Sequence, residues 1–503
     1  MKFKMPSFFY YTILPLLLAT FTLLHCGRFK PVDVEVSFDS DKPDSKTDTR
    51  LLSEMNPENI GYVLYDLEKK SIVRSHNRSL AFIPASTTKV ATTVAALNVL
   101  GPEYRLKTYL SCRGSITGGV LKGELYLKGT GDPFLSVSDL MDMADELKKK
   151  GITSVSGHFY FDDKELRSSS CIDSGMEPDA SANMGVSALS LDNNSIIAEW
   201  KQGKKSKMSE LYLIPSLPVN RISISGERRR SNVRFYSNDK DGVESWFLSP
   251  DEKRHGTERL PVKNPALYTA SMLTKICEIR GIRLPGPEPG TMPEGTSTIA
   301  VHTGMKLSDI VDLTLTYSIN LSAELMMLVT AKSISGTAMK LDESAQVIAK
   351  YYSQILSKIN WKDFRMVNGS GLTVKNRSTP EQITAILIYA DAQSYNGKKY
   401  RSFLPASGWK ASLFNRLNDP DTAFHVWAKT GSINYALGLA GYLYTKSKKK
   451  MAFAVFINDR AEREMYDADP DRRAGKSTQK ASSWLTHGKH VMDSLVAGWI
   501  KEL

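Results

Sequence analysis

Residues 84–102 read Pro-Ala-Ser-Thr-Thr-Lys-Val-Ala-Thr-Thr-Val-Ala-Ala-Leu-Asn-Val-Leu-Gly-Pro. From Thr88 to Leu100 the run is alanine-rich with apolar residues at helical spacing, and Gly101-Pro102 supplies a stop, so a helix is expected over 88–100. Ala81–Pro84 before it reads as strand-like. Ser86 and Lys89 stand three residues apart at the start of the helix and project from one face, within reach of each other. A lysine serves as a base only if it loses its proton near neutral pH, which burial and a nearby positive group favour. The helix start also aims backbone N–H groups at the same place, which suits a developing oxyanion. Alone, Ser-x-x-Lys is equally a capping serine followed by a solvated lysine.

Two further elements remove that reading. Tyr317-Ser318-Ile319-Asn320 leads into a helical run, within residues 307–331 that read as helical, and Lys429-Thr430-Gly431 follows the β-run His425–Ala428 and precedes a second strand at Ala436–Tyr444. The order is Ser-x-x-Lys, Ser-x-Asn, Lys-Thr-Gly. Together they supply a nucleophile, a second hydroxyl and amide for proton relay, and a cation on a strand edge for a substrate carboxylate. Gly431 is expected to leave that edge open to an extended substrate.

Further outward, Ile60–Asp66 and Ser71–Arg74 read as a hairpin. Residues 424–457 alternate as three strands with Ser447–Lys450 in the last turn, and Val491–Leu503 reads as a terminal helix packed on the sheet. Between about 106 and 283 the pattern is short strands with turn signals. The expected fold class is α/β (α+β): a catalytic domain assembled from 52–105 and 296–503, and a β-rich insert, 106–295, forming one or two extra domains.

In these blocks the chain resembles the penicillin-binding D-alanyl-D-alanine carboxypeptidase/endopeptidases of the class C, low-molecular-mass type, a group of serine peptidases. The resemblance runs from about Leu52 to the C-terminus. It includes Pro84–Lys89 continuing into Leu100–Pro102, Gly129–Leu135 (GTGDPFL) and Asn368–Pro380 (NGSGLTVKNRSTP) in family order. The long interval from Ser86 to Ser318 is similar to that family's and unlike the shorter one of soluble β-lactamases. The resemblance implies a β-lactamase-like transpeptidase domain and acyl transfer on peptidoglycan stem peptides and β-lactams. Ser86 would attack the carbonyl of the penultimate D-alanine, Lys89 would take its proton, and Ser318 and Asn320 would complete the relay. Lys429 and Thr430 would bind the terminal carboxylate, and the N–H groups of Ser86 and Ser432 would form the oxyanion hole. Asp162 corresponds to an acidic residue of the insert that binds the free amine of a diaminopimelate side chain. The scheme requires no metal or organic cofactor. Ile319 stands where the commoner motif has aspartate. A β-lactamase is disfavoured by the long insert, and a non-catalytic wall-binding lipoprotein by the intact Ser86, Lys89, Ser318, Asn320, Lys429 and Thr430.

The 503 residues, 41% hydrophobic and 24% charged, exclude disorder and collagen-like structure. A net charge of +12, spread along the chain, suits an anionic neighbour and does not favour nucleic acid. Lys2 and Lys4 precede an apolar run, Phe8–Leu24, broken by Pro15, so 1–25 is expected to be an export signal. Leu23-Leu24-His25-Cys26-Gly27 resembles a bacterial lipoprotein box, with His25 in place of the usual small residue, and points to a lipid on Cys26. The competing reading is an ordinary cleavage site with a cysteine nearby. Residues 26–51, with the stretch DSDKPDSKTDTR at 39–50, are expected to be a polar tether. The protein is then exported, and periplasmic or membrane-attached. The four cysteines have no CxxC spacing, and Cys112 and Cys171 both fall in the insert and could pair in an oxidising compartment, which would leave Cys277 free. His487 and His490 lack a third ligand nearby, and no metal site is expected.

Overall fold

The computed structural model describes residues 29–40, 42, 44–202, 209–224, 235–240, 243–249, 255–473 and 475–503. The leader and Cys26 lie outside the described residues, as does Arg228-Arg229-Arg230, a basic run that reads in the sequence as a solvated loop. The chain opens with α1 (Lys46–Leu52), a hairpin of β1 (Ile60–Asp66) and β2 (Ser71–His76), a 3-10 turn at Ala85–Thr87, and α2 (Thr88–Leu100). An insert follows: β3 (Arg105–Thr117), β4 (Val120–Gly129), α3 (Val137–Lys149), β5 (Ser154–Val155), β6 (Phe159–Asp162), β7 (Ser195–Gln202), β8 (Ser209–Ile214), β9 (Asn220–Ile224), β10 (Phe235–Lys240), β11 (Val243–Leu248), β12 (Gly256–Pro261), α4 (Pro265–Ile279), β13 (Pro287–Pro289) and β14 (Ser297–Lys306). The return is helical through α5 (Leu307–Tyr317), α6 (Asn320–Ser335), α7 (Leu341–Ile355) and α8 (Pro380–Ala392). It ends in β15 (Val426–Ile433), β16 (Ala436–Tyr444), β17 (Lys450–Asn458), α9 (Arg460–Ala468) and α10 (Gly475–Glu502).

Both ends of the chain share one antiparallel sheet, ordered β15-β16-β17-β1-β2, with Ile60 opposite Ile457 and Asp66 opposite Met451. Its central strands are buried on both faces, and strand periodicity sorts their side chains. Leu437, Leu439 and Leu443 of β16 and Phe453, Val455 and Ile457 of β17 pack toward α10 and α1, whereas Ala440, Tyr442, Ala452, Ala454 and Phe456 pack toward α2 and α8. Trp499, Ile500 and Leu495 of α10 are fully buried on the first face, each worth roughly 1.5–3 kcal/mol of apolar burial. The terminal helix therefore packs on the sheet as expected, although it begins earlier, at Gly475.

Five expectations change. The strand-like Ala81–Pro84 forms only a single bridge, Phe82 to Ser378, before the 3-10 turn. The stretch read as a polar tether joins the body from Phe29 onward: Phe29 stacks on Tyr395, Gln393 bonds both the N–H and the C=O of Val32, and Val36 is buried. Ser45 then caps α1, whose Asp48 is buried and accepts from Trp499. The signal was present in Val34, Val36 and Phe38, an alternation masked by the charges around it. In the insert, α3 and α4 pack together over the six-stranded sheet. Leu140, Met143, Ala144 and Leu147 give α3 an apolar stripe behind a Ser136–Asp139 capping box. The expected boundary at 295 falls short, because β14 pairs with β3 and belongs to the insert's sheet. One apolar cluster runs through the insert from Leu110 to Trp246 and Leu273. Cys112 and Cys277 are buried there, and Cys112, Cys171 and Cys277 are all free thiols, so Cys112 and Cys171 do not pair. No described helix is long and apolar enough to cross a membrane.

Candidate active site

The turn Ala85–Thr87 closes on itself through Thr87 Oγ1 to the Pro84 carbonyl, 2.6 Å, and Thr88 Oγ1 to the Ala85 carbonyl, 2.9 Å. Ala85 has φ of +46°, a left-handed conformation that an L-residue adopts only at a cost and that lifts Ser86 out at the start of α2. Ser86 is partly exposed, whereas Lys89, one turn on, is fully buried. The Lys89 amine has three partners: Ser86 Oγ at 3.1 Å, Asn320 Oδ1 at 2.8 Å and the Ser370 carbonyl at 2.7 Å. The last two are pure acceptors. A neutral amine has two N–H bonds and one lone pair, so when those two acceptors take the hydrogens the lone pair is left facing Ser86. Burial, and next the charge of Lys429, push Lys89 well below the usual lysine range, while Glu324 opposes this.

The helix expected across Leu307–Ala331 is broken at Ser318, which caps α5 in the left-handed region at φ 57°, ψ 38°. That break swings the chain so that α6 starts at Asn320, with its side chain at Lys89. The apolar pattern runs through the break without a glycine, so the sequence carries no sign of it. Asn320 Nδ2 donates to the Ala182 carbonyl, 3.1 Å, which brings a loop of the insert to the site. Among the described residues Ser318 Oγ makes no hydrogen bond to Ser86 or Lys89.

β15 is the outer strand of the sheet. Its first half is covered, with Ala406 bridging Trp427 and the Ala428 N–H donating to the Pro405 carbonyl, while Lys429–Ile433 has no strand neighbour on that side among the described residues. The expected reason for Gly431 changes. A Cβ there would stand 2.6 Å from the Pro84 carbonyl and 3.0 Å from the Ser86 N, so glycine is needed for the strand to pass against the serine turn. This contact sets Ser432, the next and exposed residue, beside Ser86. Lys429 is buried and donates to the Thr430 carbonyl at 2.7 Å, and burial draws it down to about 7. Thr430 Oγ1 donates to Ser412 Oγ, 2.8 Å.

Asp162 ends β6 and is 1% exposed. One of its carboxylate oxygens accepts from the Lys164 N–H and the other from the Met292 N–H, 3.1 and 2.9 Å. The expectation that it reaches a substrate amine does not fit a shielded carboxylate already held by two backbone donors.

The stretch Asn368–Pro380, quoted above as a family block, was given no role, yet its loop supplies the third partner of Lys89. Gly369 and Ser370 donate their N–H groups to the two oxygens of Glu324, 2.9 and 2.8 Å, and Thr92 Oγ1 donates to the Gly369 carbonyl, 2.7 Å. Gly371, with φ of +76°, lies so close to Ala85 that a Cβ would fall 1.8 Å from its carbonyl oxygen. A carbonyl ligand has no sequence signature. Glu324 had one, as a lone acid in the apolar run of α6, four residues after Asn320 and so on its face of the helix.

The arrangement is a partly exposed hydroxyl on a base shielded from water, beside an open strand edge carrying a second buried lysine. Such a site can form and hydrolyse an acyl-enzyme. The chain is 26% identical to the D-alanyl-D-alanine carboxypeptidase DacB of Haemophilus influenzae over 421 residues, 80% of this chain and 85% of that protein. It is 23% identical to a D-alanyl-D-alanine carboxypeptidase of an Actinomadura strain, over 79% of this chain and 77% of the relative. Its fold matches the crystal structure of penicillin binding protein 4 (dacB) from Haemophilus influenzae with a TM-score of 0.71 and 24% identity, covering 82% of this chain and 93% of the other. Residues 46–476 match the D-Ala-D-Ala carboxypeptidase 3 (S13) family, and the chain therefore belongs to that family of serine-type D-Ala-D-Ala carboxypeptidases.

Proposed function

We propose that this carboxypeptidase is exported, acts on peptidoglycan stem peptides through an acyl-enzyme on Ser86, and also cuts D-alanyl cross-links. The observation that carries the reading is the Lys89 amine, buried and 3.1 Å from Ser86 Oγ, with its other two neighbours acceptors only. Lys89 takes the Ser86 proton as Oγ attacks the carbonyl of the penultimate D-alanine. The Ser86 and Ser432 N–H groups hold the oxyanion. Lys89 and the Ser318 hydroxyl return the proton to the leaving amine, Asn320 holds the Lys89 amine in line, and water hydrolyses the ester. Lys429 and Thr430 receive the terminal carboxylate, whose charge restores the ammonium form that burial disfavours. A β-lactam carboxylate and ring carbonyl enter by the same route, and the acyl-enzyme they form persists. The leader at 1–25 directs export to the periplasm, and a lipid on Cys26 holds the protein at a membrane.

The test is incubation of purified protein with a muropeptide mixture and mass analysis of the products. Carboxypeptidase action removes one D-alanine from monomers, and endopeptidase action converts cross-linked dimers to monomers. Ser86→Ala is expected to abolish both, together with covalent labelling by a fluorescent penicillin. Labelling of the Ala variant removes Ser86 from the role. Cys26→Ser is expected to release active enzyme into the soluble periplasmic fraction, and a soluble wild-type protein with an unmodified N-terminus overturns the lipid anchor.

A further inference from the structure

Three ionisable side chains are buried together here, and the steps above use only Lys89 and Lys429. The third, Glu324, comes from α6, one helical turn beyond Asn320. Its two oxygens hold the consecutive N–H groups of Gly369 and Ser370. The carbonyl of Ser370 is the acceptor 2.7 Å from Lys89 Nζ. A single helix face thus presents two of the determinants of the base: Asn320 directly, and Glu324 through one peptide loop.

We propose that Glu324 is a positioning residue of the acylation step, fixing the Gly369–Ser370 peptide that orients Lys89 and supplying the negative charge that faces Lys89. This rests on the reading of Lys89 as the base. With the Ser370 carbonyl held in place, the Lys89 hydrogens go to it and to Asn320, and the lone pair has one direction left, toward Ser86. Without that hold the carbonyl is free to turn away, leaving the amine to rotate among its partners. The charge has a separate consequence. The charged groups facing Lys89 are Glu324 from α6 and Lys429 from β15, while Ser86, Asn320 and the Ser370 carbonyl are neutral. Lys429 favours loss of the Lys89 proton and Glu324 opposes it. Burial raises Glu324 above the usual carboxylate range, and the Ser370 and Gly369 donors and the charge of Lys89 work against that. The carboxylate therefore keeps the lysine pair from driving Lys89 fully neutral, so that the amine holds the serine proton once it has taken it and delivers it to the leaving group.

The experiment compares the rate of acylation by a fluorescent penicillin, as a function of pH, for the wild type, Glu324→Gln and Thr92→Val. Both variants loosen the same loop, and only the first removes a charge. Glu324→Gln is expected to acylate at least tenfold more slowly on the plateau, with its acid limb moved to lower pH by about one unit. Thr92→Val is expected to lower the plateau and leave the limb in place. An unmoved limb in Glu324→Gln, or an equal displacement in Thr92→Val, overturns the proposal. If Glu324→Gln shows no cooperative melt, Glu324→Asp decides instead. It keeps the charge and withdraws the carboxylate from the two N–H groups, so a reduced plateau is expected, and a wild-type plateau overturns the proposal. Full acylation of Lys89→Met is a different result, which removes the base itself.

Discussion

Lys89 and Lys429 are buried in the same cleft, yet the fold surrounds them differently. Lys89 has three side-chain and backbone partners drawn from three separate elements, and a carboxylate nearby. Lys429 has one, the carbonyl of its own neighbour in the strand, and burial alone lowers it to about 7. A base must point its lone pair in a fixed direction, which needs partners on the other sides. A receptor for an anion must be short of partners until the anion arrives, and then gains a charge-assisted bond in a site of low dielectric. The same side chain is thus assigned to proton transfer or to carboxylate binding by what the fold leaves unpaired around it.

The largest effect is expected on the base side. Lys89→Met keeps the volume and removes the amine, and acylation by a fluorescent penicillin should fall by about 10²–10⁴-fold, the ordinary range for a general base. A smaller loss would mean that Ser86 finds its base elsewhere and would erase the contrast with Lys429.

Lys429→Met is expected to cost kcat/KM on a D-Ala-D-Ala peptide about 1.5–3 kcal/mol, roughly 10- to 150-fold. Stability moves the other way. Lys429 titrates at about 7 in the fold and at about 10.4 unfolded, so between those pH values the unfolded chain binds more protons and stability rises with pH. At and below pH 7 the native lysine therefore destabilises the fold, and the Met variant should be more stable by an amount on the order of a few kcal/mol and melt at a higher temperature. A variant that melts lower at pH 7 would show the ammonium to be well satisfied in the empty site.

The two roles also predict opposite limbs of one pH profile. Turnover of a peptide with a free carboxylate should fall toward acid as Lys89 gains its proton, and fall toward alkali above about 7 as Lys429 loses its own. A peptide ending in an amide should keep the acid limb and lose the alkaline one. Retention of both limbs by the amide peptide would assign the alkaline limb to another group.

How far this division was legible in the sequence follows from the kind of signal each part leaves. Thr88–Leu100 and Ala436–Tyr444 were read to the residue, because each has a long run with one period and a turn residue nearby, whereas the β-run read as His425–Ala428 continues through Lys429-Thr430-Gly431 to Ile433. A domain built from both chain ends followed from the hairpin at 60–74 and the three strands of 424–457 flanking a β-rich insert. The break at Ser318 was not legible, since a serine in the left-handed region interrupts no apolar pattern, and without it Asn320 is not seen to reach Lys89. The Ser370 carbonyl carries no residue-type information. Val36 and Asp48, buried in a stretch dominated by charge, were hidden by composition, and α3 was lost to the turn signals on either side of it although its Leu140–Leu147 stripe was in plain sight. The shielding of Asp162 was hidden for the same reason: an acidic residue at a given position in the chain says nothing of whether its oxygens are free.

The smallest predicted effect tests the receptor side alone. Thr430 Oγ1 donates to Ser412 Oγ at 2.8 Å, in an exposed position, so the bond contributes at the lower end of the usual net range of about 0.5–1.5 kcal/mol. Ser412 holds the threonine hydroxyl, and Ser412→Ala leaves that hydroxyl without a fixed direction until a carboxylate takes it. The loss of orientation should appear in KM for a peptide with a free carboxylate, by less than about fivefold. An amide-terminated peptide, which makes no such demand, should be unaffected, and the acid limb set by Lys89 should not move. If Ser412→Ala instead slowed the carboxylate and amide peptides alike, Thr430 would be acting on the proton-transfer side of the cleft, and the separation of the two lysines into base and receptor would fail at the residue that joins them.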